Sequence, residues 1–272
     1  VERPYRLWNT DALSIQGFYL ISKQSARDLE AEISQAMTLR PVAPATIPAY
    51  LQNTYWWAYL HPRAVHIFER QWLVNLILWG NFARLRDAAL QEMGTVINGH
   101  VLQVACVYGD FTEHLVRRLG LRGSIDVIDV APIQINNLHA KLKLAGVDHT
   151  RVNALLQDSS ELHFMDGGHD DVIVFFLLHE MPSEVRRKTV AEALRVTKAG
   201  GKLIFVDYHK PKTWSPFRYL MVPVLTTLEP FAMDVWNHEI ASWLPEDAAI
   251  AKVDKKTYFG GLYQKVVFTK RA

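Results

Sequence analysis

The chain has 272 residues, 49% of them apolar and 21% charged, with a formal net charge of +2. That composition suits one large domain, or a core with a modest extension, and is too apolar for a disordered chain. The near-neutral charge removes a bulk electrostatic case for nucleic acid, and the single cysteine, Cys106, removes a disulfide framework and every Cys-cluster metal site.

Val1-Glu2-Arg3-Pro4 does not resemble the start of a signal peptide, and a reducing compartment is expected. Residues 1–95 carry a Pro-rich joint (Pro41, Pro44, Pro48) followed by aromatic helical stretches, and are read as a helical cap before a core spanning 96–272. All eight tryptophans lie outside the interval 80–213. The most apolar runs, Trp72 to Phe82 and Tyr219 to Leu228, fall short of the roughly 18 residues of a spanning helix, and the second contains Pro223. Contact with a membrane surface stays open.

From residue 100 onward, short apolar runs alternate with helical patterns. Strands are expected at Val101–Ala105, Ser124–Asp129, Val152–Gln157, Asp171–Leu177 and Lys202–Asp207, and helices at Thr112–Leu119, Pro132–Ala145 and Ser183–Val196. This order predicts a parallel sheet covered by helices on both faces. Lys252–Tyr258, Gly260-Gly261 and Tyr263–Thr269 read as a hairpin, giving that sheet an antiparallel end.

In open parallel sheets, ligands bind beyond the strand C-termini at the topological switch point. Val101–Ala105 runs into Cys106-Val107-Tyr108-Gly109-Asp110, a loop with one glycine where a nucleotide loop usually has more. Asp129 ends the next strand about 20 residues on, where a carboxylate accepts ribose hydroxyls. Asp158, within Leu155-Leu156-Gln157-Asp158-Ser159, ends the third strand and is placed to accept from an adenine amino group.

This order of motifs resembles class I methyltransferases, most closely the quinone-biosynthesis C-methyltransferases. Val196 to Pro211 (VTKAGGKLIFVDYHKP) is similar to that family's post-helix turn, fifth strand and following segment, and Trp214 to Phe231 resembles its substrate-side insert, which would span about 212–245. The resemblance implies a Rossmann-like core with S-adenosylmethionine held by Gln103, Val104, Ala105, Tyr108, Gly109, Asp129, Val130, Asp158, Ser159 and Phe176. The loop departs from the family: Gln103 stands where an acidic residue is usual, and Ala105 and Val107 replace two glycines. Val104-Ala105-Cys106-Val107-Tyr108-Gly109 resembles the rhodoquinone-biosynthesis proteins. That resemblance implies conversion of ubiquinone to rhodoquinone, a ring methoxy group being replaced by an amino group from S-adenosylmethionine with the help of a divalent metal, manganese. Loss of the acidic residue agrees physically, because removing a nearby negative charge favours the neutral, nucleophilic amine. Two alternatives stay open: a C- or O-methyltransferase acting on a quinone or lipophilic phenol, and a non-catalytic quinone-binding subunit.

The fourth and fifth strands end in Leu177-Leu178-His179-Glu180 and Asp207-Tyr208-His209, neighbours in a doubly wound order. His179, Asp207 and His209 are expected as metal ligands, with Glu180 nearby, and Tyr108, His179 and Gln103 as the catalytic residues. His163, Asp166, His169 and Asp170 are a second candidate metal cluster, set behind the first because they are expected in a solvated turn. Cys106 is read as a small buried hydrophobe and not as a nucleophile. Trp56, Trp57, Trp72, Trp79, Trp214 and Trp236, with Arg63, Arg70, Arg84, Arg86, Lys210, Lys212 and Arg218, suit a peripheral membrane face. The expected location is the cytoplasmic face of the inner membrane, or the matrix side in a mitochondrion.

Overall fold

A computed structural model describes residues 46–272, so the first 45 residues of the expected cap lie outside the described part. Four short helices come first: α1 (Ala49–Thr54), α2 (Pro62–Phe68), α3 (Gln71–Ile77) and α4 (Phe82–Glu92), with a π turn at Trp56–Leu60 between the first two. Next come β1 (His100–Val104), α5 (Phe111–Val116), β2 (Ser124–Asp129), α6 (Pro132–Leu144), β3 (Val152–Leu156) and β4 (His169–Phe175). The chain continues through α7 (Ser183–Val196), β5 (Thr197–Tyr208), α8 (Phe217–Leu228), α9 (Ala232–Asn237), β6 (Ile250–Tyr258) and β7 (Tyr263–Lys270).

The seven strands form one sheet in the order β3-β2-β1-β4-β5-β7-β6. The first five are parallel, and β7 runs antiparallel to both β5 and β6. Strand alternation explains why a single run of apolar residues serves two layers. Val101, Ile173, Ile204 and Val267 pack with α4, α5 and α6 in one buried cluster, while Leu102, Val172, Leu203 and Phe268 pack with α7 in another. This is the class I S-adenosylmethionine-dependent methyltransferase fold: a mostly parallel sheet between helical layers, with helices before the first strand. The strand order reverses between β1 and β4, and the C-terminal edge there is the switch point.

Two expectations on side-chain placement change. His169 is not in a solvated turn. It opens β4 and is 1% exposed, because the turn before it folds Phe164 edge-on against its ring. Trp236, on α9, turns into the core, and Arg86 is buried against Asp87 and Asp110, so neither belongs to an exposed face.

Candidate active site

The floor of the site is the bend after β1. Ala105 takes a φ of +70°, the left-handed region where a side chain costs about 1–2 kcal/mol. Gln103 holds that bend from beneath. Its Nε2 donates to the Ala105 carbonyl at 2.9 Å, and its Oε1 accepts from the Thr112 hydroxyl at 3.0 Å. Its amide is fully buried and spent within the protein.

Beyond the bend, the Cys106 amide donates to Asp129 Oδ2 at 2.9 Å, and the Ala131 amide donates to Asp129 Oδ1 at 2.9 Å. Desolvation in the cavity wall raises the Asp129 carboxyl to about 6, against the pull of those amides. Burial, together with Asp129 alongside, pushes the Cys106 thiol well up, which leaves it unreactive. Asp158 Oδ1 accepts from the Ser160 amide at 2.8 Å and the Ser160 hydroxyl at 2.7 Å, and the Ser159 hydroxyl pairs with Thr189.

Tyr108 turns toward the N-terminal helices. Its hydroxyl donates to the Ala58 carbonyl at 2.8 Å and accepts from Gln134 Nε2 at 2.8 Å, while its ring stacks between Tyr59 and Phe68. The Gly109 amide donates to Glu69, a carboxylate that also accepts from Asn137 and Lys141. The loop is therefore tied down on the side facing α2 and α6.

The other wall comes from β4 and β5. Asp207, 1% exposed, accepts from the backbone amides of Leu178 and Tyr208 and from His179 Nδ1 at 2.9 Å. A carboxylate only accepts, so Nδ1 carries the proton and Nε2 is left for the cavity side, 3.7 Å from Glu180 Oε1. Burial, the largest single influence, would lower the His179 pKa, but the charge and hydrogen bond of Asp207, with the charges of Glu229 and Glu180, together lift the ring to about 9. Glu180, which accepts from the Tyr59 hydroxyl, is raised to about 8 by burial, with Glu229 adding to the rise and His179 opposing it. Glu229, at the end of α8, is raised as well, chiefly by burial. The site thus gathers two carboxyls and an imidazole that share protons near neutral pH.

One cavity joins these parts. Its wall includes Ala105, Tyr108, Asp129, Val130, Asp158, Ser159, Phe176 and His179 among the expected residues. Gln103, Val104 and Gly109 lie outside it, beneath or behind the loop. Sequence reasoning missed Tyr59, Gln134 and Glu229. Of these, Glu229 left the clearest trace, as the single acidic residue in the apolar stretch from Phe217 to Ala232.

The expected metal set does not assemble. His209 leaves the sheet edge, its amide bonded to the Leu262 carbonyl and its Nδ1 to the Gly261 carbonyl, in a shallow groove with Lys210 and Trp214. His179 and Asp207 meet through a proton-bearing nitrogen, which is no donor to a cation.

The cavity mouth lies among exposed apolar side chains. Trp57 and Ile77 both line the cavity and are exposed. Trp56, Trp72, Leu76 and Trp79 extend that surface, and Trp79 meets Phe217 at 5.2 Å, carrying it to Tyr219, Leu220 and Val224 on α8. Among the described residues, no helix is long and apolar enough to cross a membrane.

The fold and this site together define an S-adenosylmethionine-dependent methyltransferase architecture. Residues 101–201 match the methyltransferase domain family. In sequence the chain is similar to proteins named as quinone C-methyltransferases. It is 26% identical to the demethylmenaquinone methyltransferase of Bacillus velezensis over 64% of this chain and 73% of that protein. It is also 26% identical to the ubiquinone/menaquinone biosynthesis C-methyltransferase UbiE of Pseudomonas paraeruginosa, over 57% of this chain and 62% of that protein. The match thus spans less than two thirds of the Pseudomonas relative. Among solved structures, an S-adenosylmethionine-dependent methyltransferase from Aquifex aeolicus superposes with a TM-score of 0.51 at 18% identity, covering 76% of this chain and 97% of that one. A protein from Pyrococcus horikoshii superposes with a TM-score of 0.53 at 16% identity, covering 83% of this chain and all of that one.

Proposed function

We propose that the protein transfers the methyl group of S-adenosylmethionine to a ring carbon of a lipophilic quinol. The carrying observation is one cavity that joins the Asp129 shelf, the His179–Asp207 pair and a mouth of exposed aromatic side chains. The relatives named as quinone C-methyltransferases support the ring as the substrate class.

Asp129 and Asp158 would hold the nucleoside, and the bound cofactor would supply an electrophilic methyl group. Val74, Leu78 and Phe82 give the opposite wall an apolar surface suited to a ring and the start of its tail. Ring methylation requires the quinol hydroxyl to lose its proton, so that a ring carbon becomes nucleophilic. His179 Nε2 and Glu180 are the groups placed to take that proton, with Asp207 holding the imidazole in the right tautomer. With its pKa near 9, neutral His179 is a base well matched to a phenol, whose pKa is about 10, and because that neutral form appears only as the pH climbs toward about 9, turnover should rise over that range. The ring carbon would then bond to the methyl group and S-adenosylhomocysteine would leave; the base would return its proton to the quinol oxygen, take the displaced ring proton and release it to solvent.

The exposed aromatic face would seat this chemistry on a membrane surface, where the tail of such a substrate lies. Arg63, Arg70, Arg84, Lys210 and Lys212 are exposed and available to anionic lipid. A cytoplasmic or matrix-side membrane face suits this arrangement.

The test is quinol-dependent release of S-adenosylhomocysteine in the presence of vesicles. His179→Gln is expected to lower turnover by about 10²–10⁴-fold with cofactor affinity little changed. Equal turnover in wild type and variant would remove His179 from the chemistry.

A second reading, amine transfer from the cofactor to ubiquinone, is favoured by the Val104–Gly109 loop and by Gln103 in place of an acid. Because the Gln103 amide is spent on Ala105 and Thr112, its effect would be to withhold a negative charge and not to contact the amine. Gln103→Asp should then reduce amine transfer while cofactor binding persists, and unchanged turnover would sink that reading.

A further inference from the structure

The sheet has a second polar cluster, at the edge opposite the cofactor shelf. His100 opens β1, His169 opens β4, and Asp126 lies on β2 between their side chains. Both Nε2 atoms stand 3.0 Å from the same oxygen, Asp126 Oδ2, and the two rings are 4.4 Å apart. The donor atoms of all three residues lie within 4.8 Å of one another. We propose that His100, Asp126 and His169 form a structural site for a zinc-class divalent cation, which clasps the leading ends of three adjacent strands.

The chemistry of the donors fits. Two imidazoles and one carboxylate are a ligand set for Zn²⁺ and similar ions. Ligands of a tetrahedral zinc, at bonds of about 2.0–2.1 Å, stand roughly 3.3 Å apart. The 3.0 Å separations here come within a few tenths of an ångström of that spacing.

The cluster is also poorly satisfied as a set of hydrogen bonds. Both Nε2 atoms crowd onto one carboxylate oxygen, Asp126 Oδ2. With a cation, their lone pairs become ligands beside that oxygen. His169 has Asp126 as its single polar anchor, since its Nδ1 is buried without a partner. Asp126 Oδ1 is steadied by Asn153 at 3.2 Å.

Access is from one side. His169 and Asp126 are buried, while the His100 side chain is 38% exposed, leaving room for water to complete the coordination. Asp129 and Asp207 lie at the far ends of their strands, so this cation would brace the sheet and take no part in group transfer.

The test is a titration of the chelator-stripped full chain with Zn²⁺ alone and with Co²⁺ alone. One equivalent of Zn²⁺ should bind and raise the melting temperature, and Co²⁺ should give the visible absorption of a low-coordinate nitrogen and oxygen site. His100→Ala removes a half-exposed ligand. It should lower Zn²⁺ affinity at least 100-fold and abolish the Co²⁺ absorption, with S-adenosylmethionine affinity unchanged. His169→Asn should do the same, and if it fails to fold, His100→Ala decides the matter alone. Absence of saturable Zn²⁺ binding would overturn the proposal. So would the same stoichiometry, affinity and melting shift in His100→Ala.

Discussion

Asp207→Asn probes the proton-holding side of the site. The carboxylate is buried and accepts from two backbone amides and from His179. Burial is the largest single influence on the imidazole and lowers it, but the charge and hydrogen bond of Asp207, helped by Glu229 and Glu180, lift it from 6.5 to about 9. That rise corresponds to about 3 kcal/mol of native-state stabilisation. Because the folded pKa is the higher one, this contribution is fully present below pH 6.5 and is lost as the pH rises through about 9. In Asp207→Asn, only Glu229 and Glu180 are left to oppose burial, and the His179 pKa falls. The stability difference between wild type and variant should therefore be largest near pH 6 and shrink by up to about 3 kcal/mol toward pH 9.5. What remains at high pH reflects the altered hydrogen bonds to Leu178 and Tyr208, about 1–2 kcal/mol. Urea unfolding at four or five pH values measures this directly. A difference that does not change with pH would refute the coupling of Asp207 to His179.

Ala105→Gly should relieve the left-handed strain at φ +70°, and the wider freedom of the unfolded chain offsets part of the gain, for a net stabilisation of up to about 1 kcal/mol seen as a higher melting temperature. A loss of stability would mean that Gln103 and Thr112 need the methyl group to hold the bend. Asp129→Ala should weaken S-adenosylmethionine binding by about 10–100-fold in calorimetry, since a hydrogen bond to a charged group is worth about 1.5–3 kcal/mol. Unchanged affinity would place the nucleoside elsewhere. Replacing Trp56, Trp72 and Trp79 together with Ser should lower partition onto anionic vesicles without shifting the melting temperature, because all three are exposed. Equal vesicle binding would assign these rings another partner.

The core was legible because strands buried on both faces must be apolar throughout. Ser124–Asp129 matches the expected strand end to end, and the neighbouring strands differ by only a few residues. Asp129 and Asp158 were legible as cavity residues for a related reason: a parallel strand always delivers its last residue to the ligand edge. Gln103 was misplaced because it is one residue short of that edge. It shares the face of Val101, under α5, where Thr112 claims it. His209 failed by similar logic, one step past the end of β5 and drawn away by Leu262 and Gly261. Tyr59, Gln134 and Glu229 reach the cavity from three separate helical segments. Their convergence depends on tertiary packing that no local spacing encodes.

The central claim is methyl transfer to a quinol ring, and the most direct measurement uses S-adenosylmethionine labelled with carbon-13 in the methyl group and nitrogen-15 in the amino group. Incubated with the protein, a demethylated quinol and ubiquinone in vesicles, it should yield a quinone carrying one carbon-13 methyl group and no nitrogen-15. A nitrogen-15 aminoquinone without the carbon-13 label would contradict the account and establish amine transfer in its place.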